Sequence, residues 1–181
     1  MPDCRFMIAP FAAFTLAAGL LCFIVLAPAP SAHAVGMTND PKGFNNIPWE
    51  TALDGRPELT LANSSPHIKE YDLKSGPLQL GEAKVDTMRL LTFDGKFARV
   101  TIRYRGKNVH TQVLAYLQAQ YGSLDRTPGQ MMRGSNQQYN WRGTDTEVNM
   151  TYEGQSERGF LFIESAMLAP RFNDLLAEHG Y

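Results

Sequence analysis

Residues 84–105 read KVDTMRLLTFDGKFARVTIRYR, and the way this stretch pairs with itself decides the fold. Two apolar runs flank Asp94-Gly95. A type I′ turn needs two central residues at positive φ, which Asp-Gly supplies, so the stretch predicts a β-hairpin. After the turn, Ala98, Val100, Ile102 and Tyr104 alternate with Arg99, Thr101, Arg103 and Arg105. Successive strand side chains point to opposite faces. The second strand therefore predicts a sheet with one dry side and one basic, solvated side.

Moving outward toward the C-terminus, Gly106 breaks the strand. Val109, Val113, Leu114, Leu117 and Tyr121 then recur at helical spacing before Gly122, which predicts a helix over 109–121. Residues 123–138 are polar, with Pro128, Gly129 and Gly134, and read as a long loop. A second β region starts at Gln138. Tyr139 and Trp141 share one face, Gly143-Thr144-Asp145 turns the chain, and Val148, Met150 and Tyr152 alternate with polar residues. Phe160 to Ile163 is apolar on both sides and predicts a central strand. A last helix is predicted over 171–179, with Phe172, Leu175 and Leu176 inward.

Toward the N-terminus, His67 to Lys74 reads as a strand at a sheet edge, and residues 56–66 as a loop. Pro48, Trp49 and Leu53 before Gly55 predict one short helical turn. Residues 35–46 lack periodicity and read as an extended arm. Ahead of them, Phe6 to Leu26 carries no charge, and Pro28, Pro30 and Ala32-His33-Ala34 follow. Small residues at −3 and −1 suit signal peptidase, so residues 1–34 read as a signal peptide cleaved after Ala34. The run is also long enough to span a bilayer uncleaved, which would be the protein's only membrane attachment. Residues 47–181 make a single domain. The expected architecture is α+β: an antiparallel sheet of about six strands with two main helices packed on one face.

Composition excludes several functions. Both cysteines, Cys4 and Cys22, lie in the leader, so residues 35–181 can form no disulfide, thiolate metal site or cysteine nucleophile. The formal net charge is −1, without the basic excess of a general nucleic-acid binder. No i, i+4 histidine pair, G-x-S-x-G elbow or phosphate-cradling glycine loop occurs, so no metal, cofactor or catalytic residue is indicated.

Two groups are candidates for binding. One is the basic stripe Arg99, Arg103, Arg105 with Lys107 beyond it. Its guanidinium groups suit carboxylates or phosphates, though a solvated strand face paired with neighbouring acids such as Asp86 would look the same. The other is Trp141 with Arg142, beside Tyr139, where an exposed ring could stack a sugar or peptide and a buried one would simply pack.

The segments F-x-x-I-P-W-x-T (Phe44 to Thr51), F-D-G-K-F (Phe93 to Phe97), Y-G (Tyr121-Gly122) and Y-x-W-R-G (Tyr139 to Gly143) together resemble a group of small exported proteins of Gram-negative bacteria. Where that pattern often carries Gly after the Trp, this chain has Glu50. The resemblance implies an exported single-domain protein and transfers no catalytic residue. The expected function is a periplasmic or secreted, non-enzymatic protein that binds a partner protein or envelope component. The alternatives are a hydrolase of an envelope polymer using carboxylates such as Glu147 or Glu164, and a structural oligomer.

Overall fold

A computed structural model describes residues 36–124, 130–133 and 135–178. The predicted signal peptide and His179 lie outside the described residues. The chain runs β1 (Gly43–Phe44), β2 (Ile47–Pro48), β3 (Leu59–Ser64), β4 (Ile68–Leu73), β5 (Gln79–Leu80), β6 (Ala83–Lys84), β7 (Thr87–Phe93) and β8 (Lys96–Arg105). Then come α1 (Lys107–Tyr121), β9 (Gln130–Arg133), β10 (Asn136–Arg142), β11 (Thr146–Glu153), β12 (Arg158–Ser165) and α2 (Ala169–Glu178). The α+β class is as expected.

The hairpin forms as read. Phe93 pairs with Lys96 across Asp94 and Gly95, whose φ angles are 48° and 77°. It becomes half of one four-stranded meander, β3-β4-β7-β8. A second meander, β9 to β12, returns so that β12 lies antiparallel against β8. The result is one eight-stranded antiparallel sheet, β3-β4-β7-β8-β12-β11-β10-β9, rather than about six strands.

The two additional strands come from stretches read as loops. β3 buries only Leu59, so it carries no alternation to read, and it moves β4 in from the edge. β9 pairs with the start of β10 inside the predicted 123–138 loop. The helical turn predicted near Trp49 is absent. There the backbone pairs with the hairpin instead: Glu50 N–H donates to the Phe97 carbonyl and Phe97 N–H to the Thr51 carbonyl. Glu50 sits at φ 65°, a conformation glycine adopts at no steric cost.

The alternation of β8 holds with one correction. Leu91 pairs with Arg99 but Thr92 with Phe97, so Ala98 is the extra residue of a β-bulge. Val100, Ile102 and Tyr104 face the main core together with Val113, Leu117 and Tyr121 of α1. Ala98 does not. It packs with Phe93, Leu168 and Phe172 in a second cluster. The two helices therefore cover opposite faces of the sheet, not one. The bulge puts Ala98 beside Arg99 on the far face, and its small side chain leaves room for Phe172 of α2.

The arm 36–46 is docked. Met37 and Thr38 N–H groups donate to the carbonyls of Arg142 and Tyr121. The Asp40 carboxylate accepts from the amides of Thr144, Asp145 and Thr146, at 2.5, 2.9 and 3.0 Å. A Cβ on Gly143 would lie 2.3 Å from that carboxylate, so the turn needs its glycine for close approach. The Thr146 hydroxyl donates to the Pro41 carbonyl and accepts from Trp49 Nε1.

The dry face holds a polar network. Gln137 Oε1 accepts from the Tyr139 hydroxyl at 2.8 Å and from His110 Nε2 at 3.1 Å. That puts the imidazole proton on Nε2 and leaves Nδ1 to accept from the Tyr104 hydroxyl at 2.9 Å. Tyr152 stacks on the imidazole at 3.9 Å. Burial holds the His110 pKa below its ordinary 6.5, only partly offset by the Gln137 bond. Unfolded, the same ring takes a proton near 6.5. Stability from keeping it neutral is whole above that pH and is lost as pH falls through it toward the folded value. Between about pH 7.5 and 5.5 the melting temperature should fall, and less in His110→Gln. Equal falls in the two proteins would assign the effect to other groups.

Candidate functional site

The register places arginines of β7, β8 and β12 on the face away from α1. Arg99, Thr101, Arg103 and Arg105 of β8 lie opposite Glu164, Phe162, Phe160 and Arg158 of β12. On the other flank, Leu91, Arg89 and Thr87 of β7 lie opposite Arg99, Thr101 and Arg103. Glu70 and Asp72 of β4 complete the row, opposite Leu91 and Arg89.

These cations have different partners. Arg89 is ion-paired to Glu70 at 2.9 Å and Asp72 at 3.0 Å. The hydrogen bond to Asp72 is the largest of several effects that raise its already high pKa. Arg99 is only 6% exposed and Glu164 only 3%. They bond at 2.5 and 2.7 Å, Arg99 also reaches Asn173 of α2 at 2.6 Å, and its guanidinium stacks 4.1 Å from the Phe172 ring centre. Arg103 is exposed, 5.9 Å over Phe160. Arg105 is exposed and directly opposite exposed Arg158. Among the described residues, no carboxylate lies within 4.0 Å of Arg103, Arg105 or Arg158.

Between α2 and this face lies a groove of about 510 Å³. Ile68, Leu91, Phe162 and Phe172 supply its apolar walls, and Arg89, Arg99 and Arg103 its cations. The volume falls within the usual range of small-molecule sites, roughly 300–1,000 Å³.

The candidate residues separate accordingly. Arg103 and Arg105 stand exposed on one face, as expected. Arg99, expected beside them in solvent, is buried under α2, because a helix on this face needs the cation neutralised. Lys107 is exposed at the start of α1, with its backbone N–H 3.3 Å from Glu157 Oε2. Trp141 is fully buried on the dry face, donating from Nε1 to the Gly122 carbonyl at 2.9 Å. Arg142 projects to the opposite face, level with Glu147, so the two form no joint surface. His67 bonds Asp94 at 2.8 Å in an exposed pair, and His110 belongs to the buried network.

Arg158 was missed because the strand was read only from Phe160, whereas it starts at Arg158. The alternation Arg158, Phe160, Phe162 was the available signal, had the strand been started two residues earlier. Glu147 and Glu164 do meet as cross-strand neighbours. Glu164, however, is held by Arg99 and by Asn149 Nδ2 at 3.1 Å, beneath α2.

No protein-family model, curated protein or solved structure matches this chain. Among the described residues no helix is long and apolar enough to cross a membrane.

Proposed function

We propose that this is an exported, non-enzymatic binding protein that takes an anionic partner, a protein or an envelope component, on the arginine face of its sheet. The observation that carries the reading is the unpaired trio Arg103, Arg105 and Arg158. Like charges directly opposite on adjacent strands destabilise a sheet by a fraction of a kcal/mol, about 0.2–1. Arg105 and Arg158 bear that cost with no carboxylate within 4.0 Å among the described residues, Glu153 standing opposite Arg158 on its other flank without an ion pair, while the neighbouring Arg89 and Arg99 are both neutralised. A carboxylate or phosphate bound across the trio would remove the repulsion and form bidentate hydrogen bonds. The apolar leader motivates the export half of the proposal.

The test is a charge reversal limited to exposed positions, Arg103→Glu, Arg105→Glu and Arg158→Glu together. Arg99 stays, because altering it would disturb the core. The triple variant should melt like the parent. It should also lose the envelope-extract components that the parent retains at low salt and releases at high salt. An unchanged set of retained, salt-sensitive components would overturn the proposal.

The hydrolase reading rested on Glu147 and Glu164, and Glu164 is neutralised by Arg99 and covered. The oligomer reading lacks an apolar patch among the described residues. There the large exposed apolar side chains are Leu61 of β3 and Met167 in the turn before α2.

A further inference from the structure

We infer that the ligand of the arginine face is an amphiphile, with a phosphate or carboxylate head on Arg103, Arg105 and Arg158 and an apolar body in the groove beside them. This rests on the proposed anion-binding role and narrows it to a chemical class.

The groove is asymmetric along the strands. At its Arg99 end the walls are Leu91, Ile68 and Phe172, with Glu70 of β4 level with Leu91, and the charges there are balanced: Arg99 by Glu164, Arg89 by Glu70 and Asp72. Four residues along β8, Arg103 closes the other end, and it is the lining arginine without a carboxylate partner among the described residues. At about 3.3 Å per residue the two levels are roughly 13 Å apart. Beyond Arg103 the same face continues to Arg105 and Arg158. A charge-neutral, partly apolar trough thus opens onto a cationic mouth.

Three ligand types can be compared against that shape. An inorganic anion would use the mouth and leave the trough to water. An acidic protein surface would do the same, being too broad to enter. A neutral apolar molecule would fill the trough and leave three guanidinium groups without a counter-charge. An anionic amphiphile satisfies both ends. Desolvating apolar surface contributes about 0.8 kcal/mol per methylene, which is roughly a fourfold gain in affinity for each one added.

The experiment is calorimetric titration of the parent chain with inorganic phosphate, hexyl phosphate, decyl phosphate, decanoate and decyl glucoside, each below its micelle concentration. Decyl phosphate and decanoate should bind at least tenfold tighter than inorganic phosphate and decyl glucoside, with hexyl phosphate between. Thr101→Trp, which fills the middle of the trough, should abolish the dependence on chain length and spare phosphate binding. Arg103→Gln with Arg105→Gln should weaken decyl phosphate at least tenfold and leave decyl glucoside unchanged. The length series on the parent needs no variant to fold. Equal affinity for phosphate and decyl phosphate would overturn the amphiphile and leave the anion-binding face standing. Equal affinity for decyl phosphate and decyl glucoside would overturn both. Binding of none of the probes would overturn the amphiphile, and the salt-sensitive retention test would then decide the rest.

Discussion

Glu164→Ala should destabilise the fold by about 3–5 kcal/mol, because it leaves the Arg99 guanidinium buried without its counter-charge. For a domain of this size that is a fall in melting temperature of roughly 10–20 °C. The reasoning rests on burial, since exposed ion pairs contribute little. Arg99 and Glu164 are both under a tenth exposed, and the remaining donors and acceptors of the pair reach Asn173 and Asn149. Removing one partner therefore exposes a desolvation penalty that the other cannot escape. Replacing both, as Arg99→Met with Glu164→Leu, should cost far less than the single change. Apolar groups of similar volume carry no charge to desolvate, and Phe162 and Phe172 already surround the site. The comparison is by urea denaturation of the two variants. A single change costing under about 1 kcal/mol would mean the pair is hydrated in solution.

Gly159→Ala should cost about 3 kcal/mol, the upper end of what overpacking usually does. The added Cβ would stand 1.9, 2.1 and 2.5 Å from three ring carbons of Tyr104. Tyr104 is the cross-strand partner of Gly159 and is 1% exposed, with its hydroxyl bonded to His110. The ring cannot move aside without breaking that bond and disturbing His110, which stacks on Tyr152. A double-mutant cycle isolates the contact. In a Tyr104→Leu background the same Gly159→Ala change should lose most of its effect. A cost that is the same in both backgrounds would show that the strain lies in the backbone rather than against the ring.

Local chemistry was legible in the sequence and long-range pairing was not. Asp94-Gly95 fixed the hairpin because a turn's φ angles are a property of two residues. Helix α1 was legible because its apolar spacing and Gly122 are local. The burial of Arg99 was illegible, since it depends on Glu164, 65 positions away, arriving opposite it. The location of α2 failed for a related reason. One bulge at Ala98 reassigns a residue from one face to the other, and strict alternation contains no mark of it. β3 was missed because an edge strand with a single buried residue has no amphipathic pattern. Of the candidate site, the exposed Arg103 and Arg105 followed from alternation alone. Arg158, which gives the trio its unrelieved charge, became visible only through the pairing of β12 with β8.

The docked arm sets an order on events in time. Asp40 caps a turn that lies 104 to 106 residues further along the chain, and Trp49 bonds Thr146 across 97. A chain made or translocated from its N-terminus presents the arm 104 to 106 residues before the turn that receives it. Through most of that passage the carboxylate of Asp40 and the indole of Trp49 have nothing to bind. Closure of the β10–β11 corner is therefore a late, non-local step, of the kind that slows folding and prolongs exposure of unpaired strands.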